Sequence, residues 1–214
     1  MSILEEAAPT LRQRRQMDTK REIIQAGIKV FTRRGFQGAT VDEIARTAGI
    51  SRATFYLYFP SKTELSVEIG TQGVPSMAKC FESLALLATP SFAEVRAWVD
   101  MFVADWKKHR TSNVIGFRGS VSSSKFAEVN AGILGSIIDR LEPIVERRQE
   151  SERPATRARL AVLIFQLELT LFEIFEHRAS NADALVDALA VMWHRELATS
   201  DTRHEEKAAD KEVG

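Results

Sequence analysis

Apolar residues recur along almost the whole chain with a period near 3.6, and no segment alternates with a period of 2. The pattern predicts helices throughout and an all-α fold. The first helix is expected over residues 18–34. Ile24, Ile28 and Phe31 form one stripe, and Ile23, Gly27 and Val30 widen it. Gly35 suits the position just past the helix end, with Phe36 packing behind it. A short second helix follows from Thr40, where Thr40-Val-Asp-Glu43 reads as a capping box. Gly49 ends it. A third helix runs over 51–59 and stops at Pro60, and Ser61-Lys-Thr-Glu64 opens a fourth that breaks near 70–75.

The remainder carries longer amphipathic segments. Residues 92–108 read as a helix with Trp98, Phe102, Val103 and Trp106 apolar. Residues 118–125 are rich in Ser and Gly and read as a loop. Residues 125–148 form a helix that Pro143 kinks or divides, and Pro154 starts a long helix through His177. The last helix covers 182–199, capped by Ser180 or Asn181, and the polar residues from 201 onward read as a fraying tail.

Composition is that of an ordinary globular protein, with 44% hydrophobic and 27% charged residues among 214. One cysteine, Cys80, excludes an internal disulfide framework or a cysteine cluster for zinc. The N-terminus lacks the basic and apolar regions of a secretory signal, and the clearest apolar run, 160–165, is far short of the ~20 residues that span a bilayer. A cytoplasmic protein without membrane association is expected. The net charge is zero, but the charge is divided: residues 1–62 hold 11 Lys+Arg against 6 Asp+Glu, and the rest hold 18 against 23. A basic front points to a polyanion.

The informative stretch is 40–62, a short helix, a glycine turn and a second short helix, which is the helix-turn-helix arrangement. Ile44, Ala45, Ile50, Phe55 and Phe59 supply its apolar side. The opposite side of the third helix carries Arg52, Ala53 and Tyr56, with Thr54 and Tyr58 on a flank, and these are the chain's only two tyrosines. Arginine can bond guanine bidentately in the major groove. A small residue lets the backbone approach and can touch a thymine methyl. Hydroxyls and lysine suit phosphate oxygens. Arg52 and Ala53 therefore suit base contacts, and the tyrosine hydroxyls, Thr40, Ser51, Thr54 and Lys62 suit backbone contacts.

Over residues 23–65, about a fifth of the chain, the segment resembles the DNA-binding domain of the TetR family of bacterial transcriptional regulators. The likeness lies in Phe31-Thr-Arg-Arg-Gly-Phe36, Thr40-Val-Asp-Glu-Ile-Ala45 and Gly49-Ile-Ser-Arg-Ala-Thr-Phe-Tyr-Leu-Tyr-Phe-Pro-Ser-Lys62. Gly27 departs from it where alanine is common. The run Phe-Tyr-Leu-Tyr-Phe-Pro-Ser-Lys is similar to the branch that includes the mycobacterial ethionamide-resistance regulator, whose members have long apolar ligand tunnels. The resemblance implies that Arg52, Ala53 and Tyr56 face bases and that Thr40, Thr54, Tyr58 and Lys62 face the backbone. It also implies a C-terminal domain for ligand binding and dimerisation.

For the ligand pocket the candidates are Trp98, Met101, Phe102, Asn113, Phe126, Phe165, Glu168 and Phe172, each aromatic or apolar one having core packing as its alternative. Glu168 lies amid apolar residues and needs a partner, either an arginine across the bundle or a ligand group. For the dimer interface they are Leu163, Leu167, Leu171, Ala184, Ala188 and Val191, small or apolar residues on the last two helices. No histidine pair has metal-ligand spacing. Ser122-Ser-Ser-Lys125 matches a Ser-x-x-Lys motif but lacks the companion motifs of such enzymes, so no catalytic residue, metal or cofactor is expected.

The domains expected are a basic arm (1–17), a three-helix helix-turn-helix domain (18–64), a larger ligand-binding and dimerisation bundle (65–200) and a polar tail (201–214). The function expected is a homodimeric repressor on a near-palindromic DNA operator, released by a small apolar ligand. The alternatives are a DNA-binding protein controlled by a protein partner, and an all-α enzyme with an incidental helix-turn-helix.

Overall fold

The computed structural model describes residues 10–120 and 124–198, which are helices joined by turns, with no strand among them. The helices are α1 (Leu11–Gly38), α2 (Val41–Thr47), α3 (Arg52–Tyr58), α4 (Lys62–Gly70), α5 (Val74–Ala85), α6 (Phe92–Lys108), α7 (Arg110–Ser120), α8 (Ser124–Arg140), α9 (Glu142–Glu146), α10 (Arg153–Glu176) and α11 (Ala182–Ala198). No helix among the described residues is long and apolar enough to cross a membrane.

Helix α1 begins at Leu11, not near 18, so residues 11–17 are helical and not an arm. Thr10 and Gln13 form a capping box: the Gln13 amide donates to Oγ1 of Thr10 at 3.3 Å, and the Thr10 amide donates to Oε1 of Gln13 at 2.8 Å. The helical path breaks at Gly35, which has φ 69°. That left-handed conformation costs glycine nothing. It turns Phe36 back into the core, where its ring lies 5.7 Å from that of Phe31.

The chain divides into two compact units, residues up to 71 with 111–126, and 72–110 with the rest. The first therefore takes in all of α4 and most of α7, and the expected boundary at 64/65 would cut α4. Its core holds Ile23, Val30 and Phe31 of α1, Ile44 and Ala45 of α2, Phe55 and Phe59 around α3, Leu65 and Ile69 of α4, and Ile115 of α7. Gly27 serves helix packing: a Cβ there would stand 2.7 Å from Cδ2 of Leu65. Its absence lets α1 and α4 approach closely. Helix α7 was not expected. Its Ser and Gly residues are weak helix formers, and the buried Ile115 ties it to the core instead.

The second unit is built on an aromatic nucleus. Phe81 (α5), Trp98 and Phe102 (α6) and Trp193 (α11) have ring centroids 5.0–6.0 Å apart. Nε1 of Trp98 donates to the Cys80 carbonyl at 2.8 Å, so the indole is fully satisfied inside the core. Arg147 closes the end of α5 by donating to the carbonyls of Ala85 at 2.7 Å and Leu87 at 2.5 Å. Pro143 sits in the first turn of α9 and so marks the joint with α8, and Pro154 sits in the first turn of α10. The expected tail, 201–214, lies outside the described residues.

Candidate nucleic-acid interface

Helices α2 and α3 are short, so their geometry is set by caps and by the core. Oγ1 of Thr40 accepts the Glu43 amide at 3.2 Å and Oγ of Ser51 accepts the Thr54 amide at 2.9 Å. Between them Gly49, at φ 70°, makes the turn, and the Ile50 amide donates to the Ala45 carbonyl at 3.0 Å. The capping box at Thr40 is only half formed. The Glu43 carboxylate is engaged by Arg33 at 2.5 Å and Arg34 at 3.4 Å on α1. Partial desolvation pushes the Glu43 carboxyl up, and the two guanidinium hydrogen bonds outweigh it and hold the pKa below the usual range.

Phe55 and Phe59 anchor α3 from below, their rings 6.0 Å apart. This fixes the opposite face outward. Arg52 and Ala53 are exposed, and Tyr56 is 42% exposed with its ring edge-on to Phe55. Arg52 is already aligned: one guanidinium nitrogen donates to Asp42 of α2 at 3.0 and 3.1 Å, and another donates to the Tyr56 hydroxyl at 3.3 Å. The Tyr56 hydrogen bond first, and then the Asp42 charge, raise its already high pKa. All three groups are solvent-exposed, so the ion pair is weak and leaves Arg52 free to exchange partners. Leu57, 83% exposed on the same short helix, was not singled out from the sequence.

The flanking residues divide. Thr40 and Ser51 are exposed at the helix starts, and Thr54 is half-buried with its hydroxyl 2.8 Å from that of Ser51. Tyr58 packs partly against the core. Lys62 corrects the sequence reading. Its ammonium donates to the carbonyls of Phe36 at 3.0 Å, Gln37 at 3.3 Å and Ala39 at 2.9 Å, and lies 4.9 Å from the centre of the Phe36 ring. All three N–H groups thus serve the chain's own backbone. Lys62 pins α4 to the connection between α1 and α2 and presents no donor to a phosphate.

In the second unit several expectations change. Trp98 and Phe102 belong to the packed aromatic nucleus, and Met101 faces outward. Asn113 lies on α7 in the first unit, and the side chain of Phe126 lies outside the described residues. Phe165 is 58% exposed, so it does not line a pocket within the chain. Phe172 is buried, its ring edge-on to His177. Glu168 takes a hydrogen bond from Nε1 of Trp106 at 3.1 Å, and no arginine meets it among the described residues. Leu163, Leu167 and Leu171, expected at a dimer interface, are buried in the chain's own core. The outward face of α10 is instead Val162, Phe165 and Leu169, spaced three and four apart, and on α11 it includes Ala184, Ala188 and Val191. Because α10 is apolar nearly all round, its sequence did not fix which stripe faces inward.

The comparisons with known proteins agree with this geometry. Residues 23–69 match the family model described as bacterial regulatory proteins, tetR family. The HTH-type transcriptional regulator EthR of Mycolicibacterium smegmatis is 26% identical over 168 residues, 78% of this chain and 76% of that protein. A tetR-family transcriptional regulator from Streptomyces coelicolor has the same fold, with TM-score 0.62 and 21% identity over 90% of this chain and 86% of that one. A TetR-family regulator from Mesorhizobium loti superposes with TM-score 0.60 and 18% identity over 86% and 98%. Residues 23–69, with the helix-turn-helix at α2 and α3, thus match the tetR family of bacterial regulatory proteins, and the chain as a whole has the fold of TetR-family regulators.

Proposed function

We propose that the protein is a homodimeric repressor in which α3 reads the major groove of a near-palindromic operator and a small ligand in the second unit releases it. The observation that carries this reading is the division of α3. Phe55 is fully buried, while Arg52, Ala53 and Tyr56 stand outward on a fixed base. Arg52 exchanges Asp42 for guanine O6 and N7, and Ala53 allows close approach. The Tyr56 ring covers a neighbouring base edge, and the hydroxyls of Thr40, Ser51, Thr54 and Tyr58 meet phosphates.

Two copies are joined through the outward apolar face of α10 and α11. Val162, Phe165 and Leu169 are large apolar residues left in water by the single chain, and Ala184 and Ala188 allow close helix approach. A two-fold dimer pairs the same patch with itself and presents two α3 helices to two half-sites. A dimer seated on promoter DNA represses by occupying it.

For release, the chain passes from the first unit into the second after α4, at Thr71–Gly73, and back into the first between α6 and α7. A ligand that favours one arrangement of α6 acts on α7, whose Ile115 is part of the reading unit's core. The ligand must bind the released state more tightly than the DNA-bound state. The experiment is fluorescence anisotropy on duplex DNA flanking the protein's own gene and on a scrambled duplex, at two salt concentrations. Binding at least a hundredfold tighter to the flanking DNA supports the reading. Equal weak binding to both, in protein refolded free of ligand, opposes it.

A further inference from the structure

The second unit contains a polar cluster that its packing does not explain. Glu168 of α10 faces the last turn of α6. Its single hydrogen-bond donor among the described residues is Nε1 of Trp106, and no lysine or arginine pairs with it. Arg110, just beyond the last turn of α6, is committed to Glu176 through contacts of 3.1 and 2.9 Å. One residue before Trp106, Asp105 adds a second carboxylate. It accepts the Ser76 hydroxyl and lies 3.7 Å from Nε2 of His109. That imidazole nitrogen is shut off from solvent and makes no hydrogen bond. Trp106 and Phe175 stack beside the carboxylates, with ring centroids 5.0 Å apart and planes 13° apart.

Two half-buried carboxylates and an orphaned ring nitrogen make an incomplete set. A carboxylate partly withdrawn from water gains from a counter-charge. What the cluster lacks is a positive group that donates hydrogen bonds. The flat aromatic wall favours such a group carried on an apolar body, since ring faces attract cations.

We propose that the last turn of α6 and the facing turn of α10 form a binding site for a protonated amine carried on an apolar or aromatic body. Glu168 and Asp105 are its counter-charges, and Trp106 and Phe175 its wall. This deepens the ligand reading above and rests on it only for the existence of an effector. Burial, followed by the neighbouring Asp105 charge, pushes the Glu168 carboxyl up to about 7, against the opposing Trp106 hydrogen bond. Near neutral pH the raised carboxyl therefore holds a proton more readily than a free carboxyl does, and the amine displaces it.

The position gives the site a route to the DNA-binding unit. Asp105 and His109 lie immediately before the step from α6 into α7. A cation drawn between Asp105 and Glu168 acts on that last turn.

The test uses the full chain and two probes of one shape, 4-phenylbutylamine and 4-phenylbutan-1-ol, by isothermal calorimetry at pH 7. The amine is expected to bind at least tenfold tighter than the alcohol. It is expected to release protons on binding, read from two buffers of different ionisation enthalpy. In Glu168→Gln the preference for the amine is expected to vanish while the alcohol binds as before, and Asp105→Asn is expected to weaken the amine alone. Equal binding of both probes, or an amine preference unchanged in Glu168→Gln, overturns the proposal while leaving an uncharged effector in place. Binding of neither probe also overturns it, and the DNA titration decides the regulator reading independently.

Discussion

Glu168→Gln is expected to stabilise the free protein, by an amount that depends on pH. Glutamine keeps the shape of the side chain, and its carbonyl can still accept the Trp106 indole N–H. It removes the charge that the surroundings oppose. The carboxyl is raised from 4.5 to about 7 in the folded chain, with Asp105 of α6 as the titratable group acting on it and His109, just past that helix, next to Asp105. An acid whose folded pKa is raised binds its proton more tightly when folded. Its penalty is absent below pH 4.5, where both states are protonated, grows between 4.5 and 7, and levels off above 7. The gap corresponds to about 3 kcal/mol at ~1.4 kcal/mol per decade of proton affinity. Water reaching the second carboxylate oxygen lowers this, so about 3 kcal/mol is the upper end. The assay is urea denaturation of wild type and variant at pH 4.5, 6, 7 and 8.5. Equal stability at the lowest pH is expected, with a gain for the variant that rises and then flattens. A gain independent of pH, or a loss at pH 8.5, refutes the reasoning. The first means that the charge is not what matters, and the second that an unseen cation pairs Glu168.

Arg52→Ala is expected to weaken operator binding by ~1–3 kcal/mol and to leave scrambled DNA nearly unaffected, measured by anisotropy; an equal loss on both duplexes would reassign Arg52 to the phosphates. Lys62→Ala is expected to lower folding stability by ~1–3 kcal/mol, because a charged donor leaves three carbonyls, and to keep the salt dependence of DNA binding. A salt slope shallower by about one with unchanged stability would restore Lys62 to the phosphate contacts. Phe165→Glu places two charges in a two-fold contact and removes two rings, each worth ~1.5–3 kcal/mol when buried. Sedimentation is expected to show the dimer dissociating at least about a hundredfold more readily, and an unchanged dimer would move the interface off this face.

The reading unit was legible because its signals are local. Glycine at two positions of positive φ, serine and threonine at helix starts and a phenylalanine pair four apart each act within one turn, so Gly35, Gly49, Ser51, Phe55 and Phe59 took their expected places. The Thr10–Gln13 box was an equally local signal that was passed over in favour of the basic composition around it. What escaped was non-local. Lys62 was read from its place at a helix start, whereas its partners lie 23 to 26 residues away along the chain. Gly27 read only as a departure from the family pattern, and its reason, Leu65 opposite it, lies on another helix. Along α10 the apolar residues surround the helix, so Phe165 and Leu167 were interchangeable by pattern, and only the packing of α10 in its own unit separates outward from inward. Glu168 lies between these cases: its apolar neighbours marked it as unusual, but the absence of an arginine partner is a property of the bundle.

The central claim is that two copies of α3 read DNA sequence as a two-fold pair. Selection of bound duplexes from a random pool by the purified protein tests this most directly. The account predicts enrichment of an inverted repeat whose half-sites lie one helical turn or a multiple of it apart, with a guanine that Arg52→Ala no longer selects. A pool that stays random, or that converges on a single unrepeated site, contradicts it.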